Sequence, residues 1–287
     1  MIEFIILNLL NGISYGVILF ILGSGLSLIF GVMGILNLSH GALYMVGAYV
    51  GWTLAVQMKI NFWIGVISGG VAAGVIGLVM ERGFFRYLYK KLNKQVLLTF
   101  GFIYVLTNLS QWLWGAVPKR GFTAPILAGS FPLMSGTYSK YRIAITLIGL
   151  ALAVGLWWLQ DKTRVGAIIR AGMDNKRMTM GLGINVDFVS TIVFFLGCFL
   201  AGAAGVVGAN LFGVNLDLGL SILLPALVVV VVGGMGSIQG ALLGGIMIGI
   251  LISFGKALFP QLSMFLVYLV MVIILLVKPS GLLGKKK

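Results

Sequence analysis

The chain has 287 residues, 60% of them hydrophobic and only 9% charged, against about 25% charged in soluble domains, and its mean hydropathy is +1.12. Its net charge is +14, but the cations gather at the ends of apolar runs, which is the pattern of membrane topology and excludes a nucleic-acid binder. A single cysteine, Cys198, excludes an internal disulfide and a cysteine-based metal site.

Taken in chain order, apolar runs long enough to span a bilayer are expected near 4–30, 38–58, 62–80, 96–117, 142–160, 188–211, 221–255 and 262–278. The opening "MIEFIILNLLNGISYG" lacks a basic leader and a small-residue cleavage site, so it reads as a retained span. Between the first two runs, "GVMGILNLSHGAL" places Asn37, Ser39 and the chain's one histidine, His40, among glycines. The run 221–255 is too long for one ordinary span and is interrupted by "GGMGSIQGALLGG", Gly233 to Gly245. The expectation is an all-α, polytopic helical bundle of about eight or nine spans, with broken or re-entrant helices near 31–41 and 233–245, forming one membrane domain over 1–287. The glycine pairs Gly12/Gly16, Gly47/Gly51, Gly70/Gly74, Gly240/Gly244 and Gly245/Gly249 have the spacing that lets helices approach closely in lipid.

Lysine and arginine concentrate in 81–95, 161–187 and the tail from Lys278. Cytoplasmic loops carry such an excess, so all three are expected inside, with the N-terminus outside and the C-terminus cytoplasmic. The loop 118–141, with Pro118, Pro125 and Pro132, is expected to be irregular and outside.

The six acidic residues all fall at span ends or in loops, which argues against carboxylate-based ion coupling and so against a self-sufficient secondary transporter. No ATP site is present either. The nearest approach to a phosphate-binding loop, "GILISFGKA" from Gly249 to Ala257, is one residue too long and ends in alanine. Ser39 and His40 are adjacent, so on a helix their side chains diverge and make a poor nucleophile–base pair. An intramembrane hydrolase is therefore disfavoured, and with a single histidine no metal is expected. Polar residues inside apolar runs remain: Asn8, Asn11, Ser14 and Tyr15 in the first, Asn37, Ser39 and His40 in the second, and Asn108 in the fourth. Such groups face the bundle or a water-filled path, so they are the candidate translocation residues, although Asn37 to His40 equally suit a purely structural helix break.

Three stretches carry a resemblance. "NGISYGVILFILGSGLSLIFGVMGILNLSHGALYMVGAYVG" (Asn11 to Gly51), "RAGMDNKRMTMGLGINVDFV" (Arg170 to Val189) and "VVVVGGMGSIQGALLGG" (Val229 to Gly245) are similar to the signatures of branched-chain amino-acid ABC transporter permeases of the Liv type, in particular their shorter H-type subunit. The resemblance covers nearly the whole chain. It implies a bacterial inner-membrane subunit that is not itself an enzyme and binds no cofactor. Its implied partners are a second permease, two ATP-binding subunits that hold the ATP, and a periplasmic protein that delivers leucine, isoleucine or valine. Relatives in that family handle other amino acids, amides or urea. The resemblance also marks the middle stretch as the contact with the ATPase. Within it Asp174 is expected to cap a helix of about two turns that Gly181 or Gly183 ends, and Arg170, Asp174, Met178, Met180, Gly183 and Asn185 are the candidate coupling residues.

Overall fold

The computed structural model describes residues 1–88, 91–133, 136–174 and 176–284, without the side chains of 173–177. The long helices are α1 (Ile2–Met33), α3 (Phe62–Gly83), α4 (Leu92–Trp114), α5 (Lys140–Lys162), α8 (Val186–Phe212), α10 (Ile238–Leu258) and α11 (Ser263–Val277). α11 reaches 18 residues with the tight turn from Pro260 that leads into it, and two further apolar helices, α2 (His40–Trp52, continued by a wider turn over Thr53–Gln57) and α9 (Leu218–Gly233), are shorter than that and sit among them. Two further helices, α6 (Arg164–Asp174) and α7 (Lys176–Gly181), join α5 to α8. Among the described residues, seven helical stretches are long and apolar enough to cross a membrane. A hairpin of β1 (Ser130–Leu133) and β2 (Gly136–Ser139), antiparallel with Ser130 opposite Ser139, stands before α5 where an irregular loop was expected.

Lipid gives apolar side chains no reason to hide, so helices in it associate through close packing of small residues. The centre of this bundle follows that rule. The most apolar stretches of α1 and α8 are 78% buried, against 17% for α5 and 11% for the helix ending in α11, so α1 and α8 form the axis and α5 and α11 the rim. The α1–α10 crossing is a glycine seam. A methyl on Gly12 would lie 2.6 Å from Ile250 Cα, one on Gly249 would lie 2.5 Å from Gly16 Cα, and one on Gly16 would strike the Gly245 carbonyl. Gly47 of α2 packs on Gly202 of α8 in the same way, and Gly70 and Gly74 of α3 receive the rings of Phe199 and Phe195. Cys198 is fully buried against Gly77 and serves as a small packing residue.

Both expected breaks are present. α1 closes on Gly34, whose φ of 65° is the left-handed cap glycine adopts without penalty, its N–H reaching the Phe30 carbonyl. The chain then doubles back. α2 begins at His40, whose Nε2 lies 3.2 Å from the carbonyl oxygen of Leu22, deep within α1. Leu22 precedes Met33 by eleven residues, about 16 Å of helix, so the segment 34–39 is re-entrant. The second break separates α9 from α10. Gly234 and Gly236 have φ of 105° and 87°, and Ser237 caps α10 by accepting from the N–H of Gly240 at 3.0 Å. The carbonyls that α9 leaves open at its end are met by the tail: Leu282 N–H donates to Val232 at 2.8 Å and Leu283 N–H to Gly233 at 2.9 Å. The Gly236 N–H donates to Ser27 Oγ at 3.1 Å, fastening the break to α1.

These contacts set the ends of the bundle. The α3–α4 connection, the α5–α8 connection and the tail, which are the three cation-rich segments, all lie at one end, together with the Gly233–Ser237 break. The first residues of α1, the hairpin, and the loops after α4 and α8 gather at the other. There Lys119 and Val214 exchange two backbone hydrogen bonds of 2.8 and 3.0 Å, and Trp114 Nε1 donates to Thr53 Oγ1 at 2.7 Å.

Candidate translocation site

At the end away from the three cation-rich segments, a cavity of about 400 Å³ opens between α1, α5, α8 and α10. Asn8, Asn11 and Tyr15 reach it from α1 at spacings of three and four, which place them on one helical face. Arg142 comes from the first turn of α5, Leu211 and Phe212 from the end of α8, and Ile252, Ser253, Lys256 and Ala257 from the end of α10. The glycine seam positions the two halves: Gly12 and Gly16 bring α10 close enough for Ser253 Oγ to donate to Asn8 Oδ1 at 3.4 Å. Asn8 Nδ2 donates to the Phe4 carbonyl at 2.8 Å. Tyr15 meets Phe212 edge to face with centroids 5.5 Å apart, and the Lys256 ammonium stands 5.8 Å from the centre of the Tyr15 ring.

The other expected residues lie elsewhere. Ser14 faces away from the cavity and knits α1 to α5 and the hairpin, 3.0 Å from both Tyr138 Oη and Thr146 Oγ1. Burial raises the pKa of the Tyr138 phenol, so it stays protonated in that network. Asn37, Ser39 and His40 are completely buried and do not line the cavity. Asn37 Oδ1 accepts from the Ser39 N–H at 3.1 Å and from its hydroxyl, so Asn37 folds the turn that starts α2. His40 Nε2 must donate, since its partner is a carbonyl, and Gly25 leaves room for the ring. Asn108 sits on the exposed face of α4, its amide donating to the Tyr104 carbonyl at 2.8 Å.

The segment expected to couple to an ATPase is helical on both sides of residue 175, which lies outside the described residues: α6 runs up to Asp174 and α7 from Lys176. Asp174 is the last described residue of α6, and its side chain, and with it the expected cap, lies outside the described residues. α7 ends at Gly181, and Gly183 follows with φ of 80°. Arg170 turns back onto α5, donating to the Gln160 carbonyl and lying 3.5 Å from Asp161. Asn185 caps α8, accepting from the Phe188 N–H at 3.0 Å. Met178, Met180 and Leu182 are 70%, 45% and 75% exposed, an apolar surface on a polar connection.

Sequence reasoning missed Arg142, Lys256, Ser253 and Phe212. The two cations stand at the ends of apolar runs, where membrane topology alone accounts for a cation. It also missed Glu81, which is 2% exposed near the end of α3 and accepts from Thr191 Oγ1 at 2.9 Å, tying α3 to the start of α8. No spacing pattern connects residues 110 positions apart.

A polytopic bundle with a polar cavity at one end and an exposed helical segment at the other has the build of a membrane transport subunit. The chain belongs to the family described as the permease component of the branched-chain amino acid transport system, whose model matches residues 8–275. It is 29% identical to BraD, a high-affinity branched-chain amino acid transport system permease protein of Pseudomonas aeruginosa, over 97% of this chain and 95% of that protein. It is 26% identical to LivH of Escherichia coli K12, which carries the same description, with the same coverage. It is also 28% identical to the ribose import permease protein RbsC of Escherichia coli K12, over 86% of this chain and 77% of that one.

Proposed function

We propose that this chain is the permease subunit of an ATP-driven importer of leucine, isoleucine and valine. The observation that supports this most directly is the family likeness over residues 8–275, which takes in every helix that lines the cavity. A second permease subunit completes the translocation path, one of two ATP-binding subunits docks on the α6–α7 connection, and a periplasmic protein delivers substrate to the end that bears the cavity. The chain is not an enzyme and holds no cofactor; ATP is bound by the partners. The cation-rich end faces the cytoplasm of a bacterial inner membrane, with the N-terminus outside. The test is reconstitution of the co-purified complex in proteoliposomes with its binding protein. ATP-dependent uptake of leucine, abolished when ATP is omitted, is the expected result. Uptake insensitive to ATP would overturn the proposal.

A second reading, a permease for another amino acid, an amide or urea, draws on the likeness to a ribose permease, because that likeness links one scaffold to more than one solute. Competition of leucine uptake by a panel of unlabelled solutes separates the two.

A further inference from the structure

The cavity's chemistry is lopsided. Arg142 and Lys256 both line it, and among the described residues no Asp or Glu does. Its remaining polar groups, Asn8, Asn11, Ser253 and Tyr15, are uncharged. The rest of the wall is apolar: Leu211, Phe212, Ile252 and Ala257. Arg142 is half-buried and Lys256 exposed at its mouth, so the recess presents positive charge that no lining carboxylate offsets. An anion with a short apolar body fits each part of the lining.

We infer that this cavity is an entry site for the free α-amino acid, in which Arg142 and Lys256 hold the carboxylate and Phe212, Leu211 and Ile252 receive the branched side chain. This rests on the amino-acid reading above. Guanidinium presents a planar fork that matches a carboxylate, and charge-assisted hydrogen bonds are the strong ones. The Asn8, Asn11 and Ser253 oxygens are acceptors for the substrate ammonium, and the face of Tyr15 attracts a cation, as its approach by Lys256 already illustrates. A volume of about 400 Å³ lies within the range of small-molecule sites. The site recognises the amino acid's head group, so it filters by charge and leaves fine selection among side chains to the binding protein.

The test uses the permease–ATPase complex in nanodiscs of phosphatidylcholine without the binding protein, so that only this site discriminates. Equilibrium binding of radiolabelled leucine is compared with that of leucinamide, which lacks the carboxylate. The wild-type complex should prefer leucine. Arg142→Gln should weaken leucine by about tenfold, the loss expected for one charge-assisted partner, while leaving leucinamide within about twofold. Arg142→Lys should restore part of the preference. Should these variants fail to assemble, the wild-type protein serves: leucine, and not leucinamide, should protect Lys256 from amine acylation, read by mass spectrometry. Leucine affinity unchanged in Arg142→Gln, or equal protection by both compounds, would overturn the inference. So would protection of Lys256 that appears only when anionic lipid is added, since the cations would then serve a headgroup. If ATP-dependent leucine uptake persists while binding shows no carboxylate preference, the entry site alone fails. If uptake is also absent, the transport reading fails with it.

Discussion

Small side chains carry this structure's most exacting roles. Gly16 lies so close to the Gly245 backbone that one added methyl cannot fit unless α1 and α10 separate. Gly101, on α4, has nothing within 4 Å of where a methyl would go. Gly16→Ala should therefore lower stability by about 1–3 kcal/mol through overpacking. Gly101→Ala should be neutral or stabilising, since alanine is the better helix former by about 1 kcal/mol. Thermal unfolding of the two variants in one detergent checks the contrast, and equal shifts would mean that the seam tolerates separation. Asn37 gives a second case. Asn37→Ala removes the acceptor of the buried Ser39 N–H, and an unpaired buried donor costs about 1–3 kcal/mol. A comparable loss of stability, with leucine binding unchanged in the surviving folded protein, is expected, because the cluster builds the start of α2 and stands apart from the cavity.

The helices divide into those the sequence exposes plainly and those it conceals. Long apolar runs marked the spans, and glycines marked both breaks, because a helix in lipid can be interrupted only where small residues and neighbouring protein receive the freed backbone groups. The α6–α7 connection was placed correctly between spans, and α7 ends at Gly181 as expected, but the helical stretch Arg164–Asp174 ahead of it was not foreseen. Half of the cavity's six polar residues were also readable: Asn8, Asn11 and Tyr15 are polar residues in an apolar run. The other half was hidden because Arg142 and Lys256 lie where any membrane protein places cations. The exposed Met178, Met180 and Leu182 define what the connection offers a partner. Replacing Met178 and Leu182 with serine should cut substrate-stimulated ATP hydrolysis by about tenfold or more, the scale of losing apolar anchors from an interface. Expression and thermal stability should hold, since both side chains are largely exposed. Full stimulation in the double variant would move the coupling contact elsewhere. Arg170 behaves differently. Its ion pair with Asp161 is substantially exposed, at 34% and 40%, so Arg170→Gln should cost no more than about 1 kcal/mol, read from the same unfolding curves.

The whole molecule is polarised. Its cation-rich segments share one end with the Gly233–Ser237 break and the tail, and its cavity opens at the other. Which end meets the cytoplasm is a question of charge, because cytoplasmic loops keep lysine and arginine while translocated loops are poor in them. The far end is not free of cations, since Lys119, Arg120, Lys140, Arg142 and Lys256 lie on it, so the assignment rests on three dense clusters against scattered cations. Two serines report on it. Ser280 stands in the tail at the cation-rich end, and Ser221 is exposed in the first turn of α9 at the other. The native Cys198 is completely buried, so cysteine introduced at either position can be labelled against a silent background. In intact cells an impermeant maleimide should label Ser221→Cys and spare Ser280→Cys, and in inside-out vesicles the pattern should reverse. Labelling of position 280 from outside the cell would invert the molecule. The cavity would then open to the cytoplasm, and Arg142 and Lys256 would meet the amino acid on its way out of the path instead of on its way in.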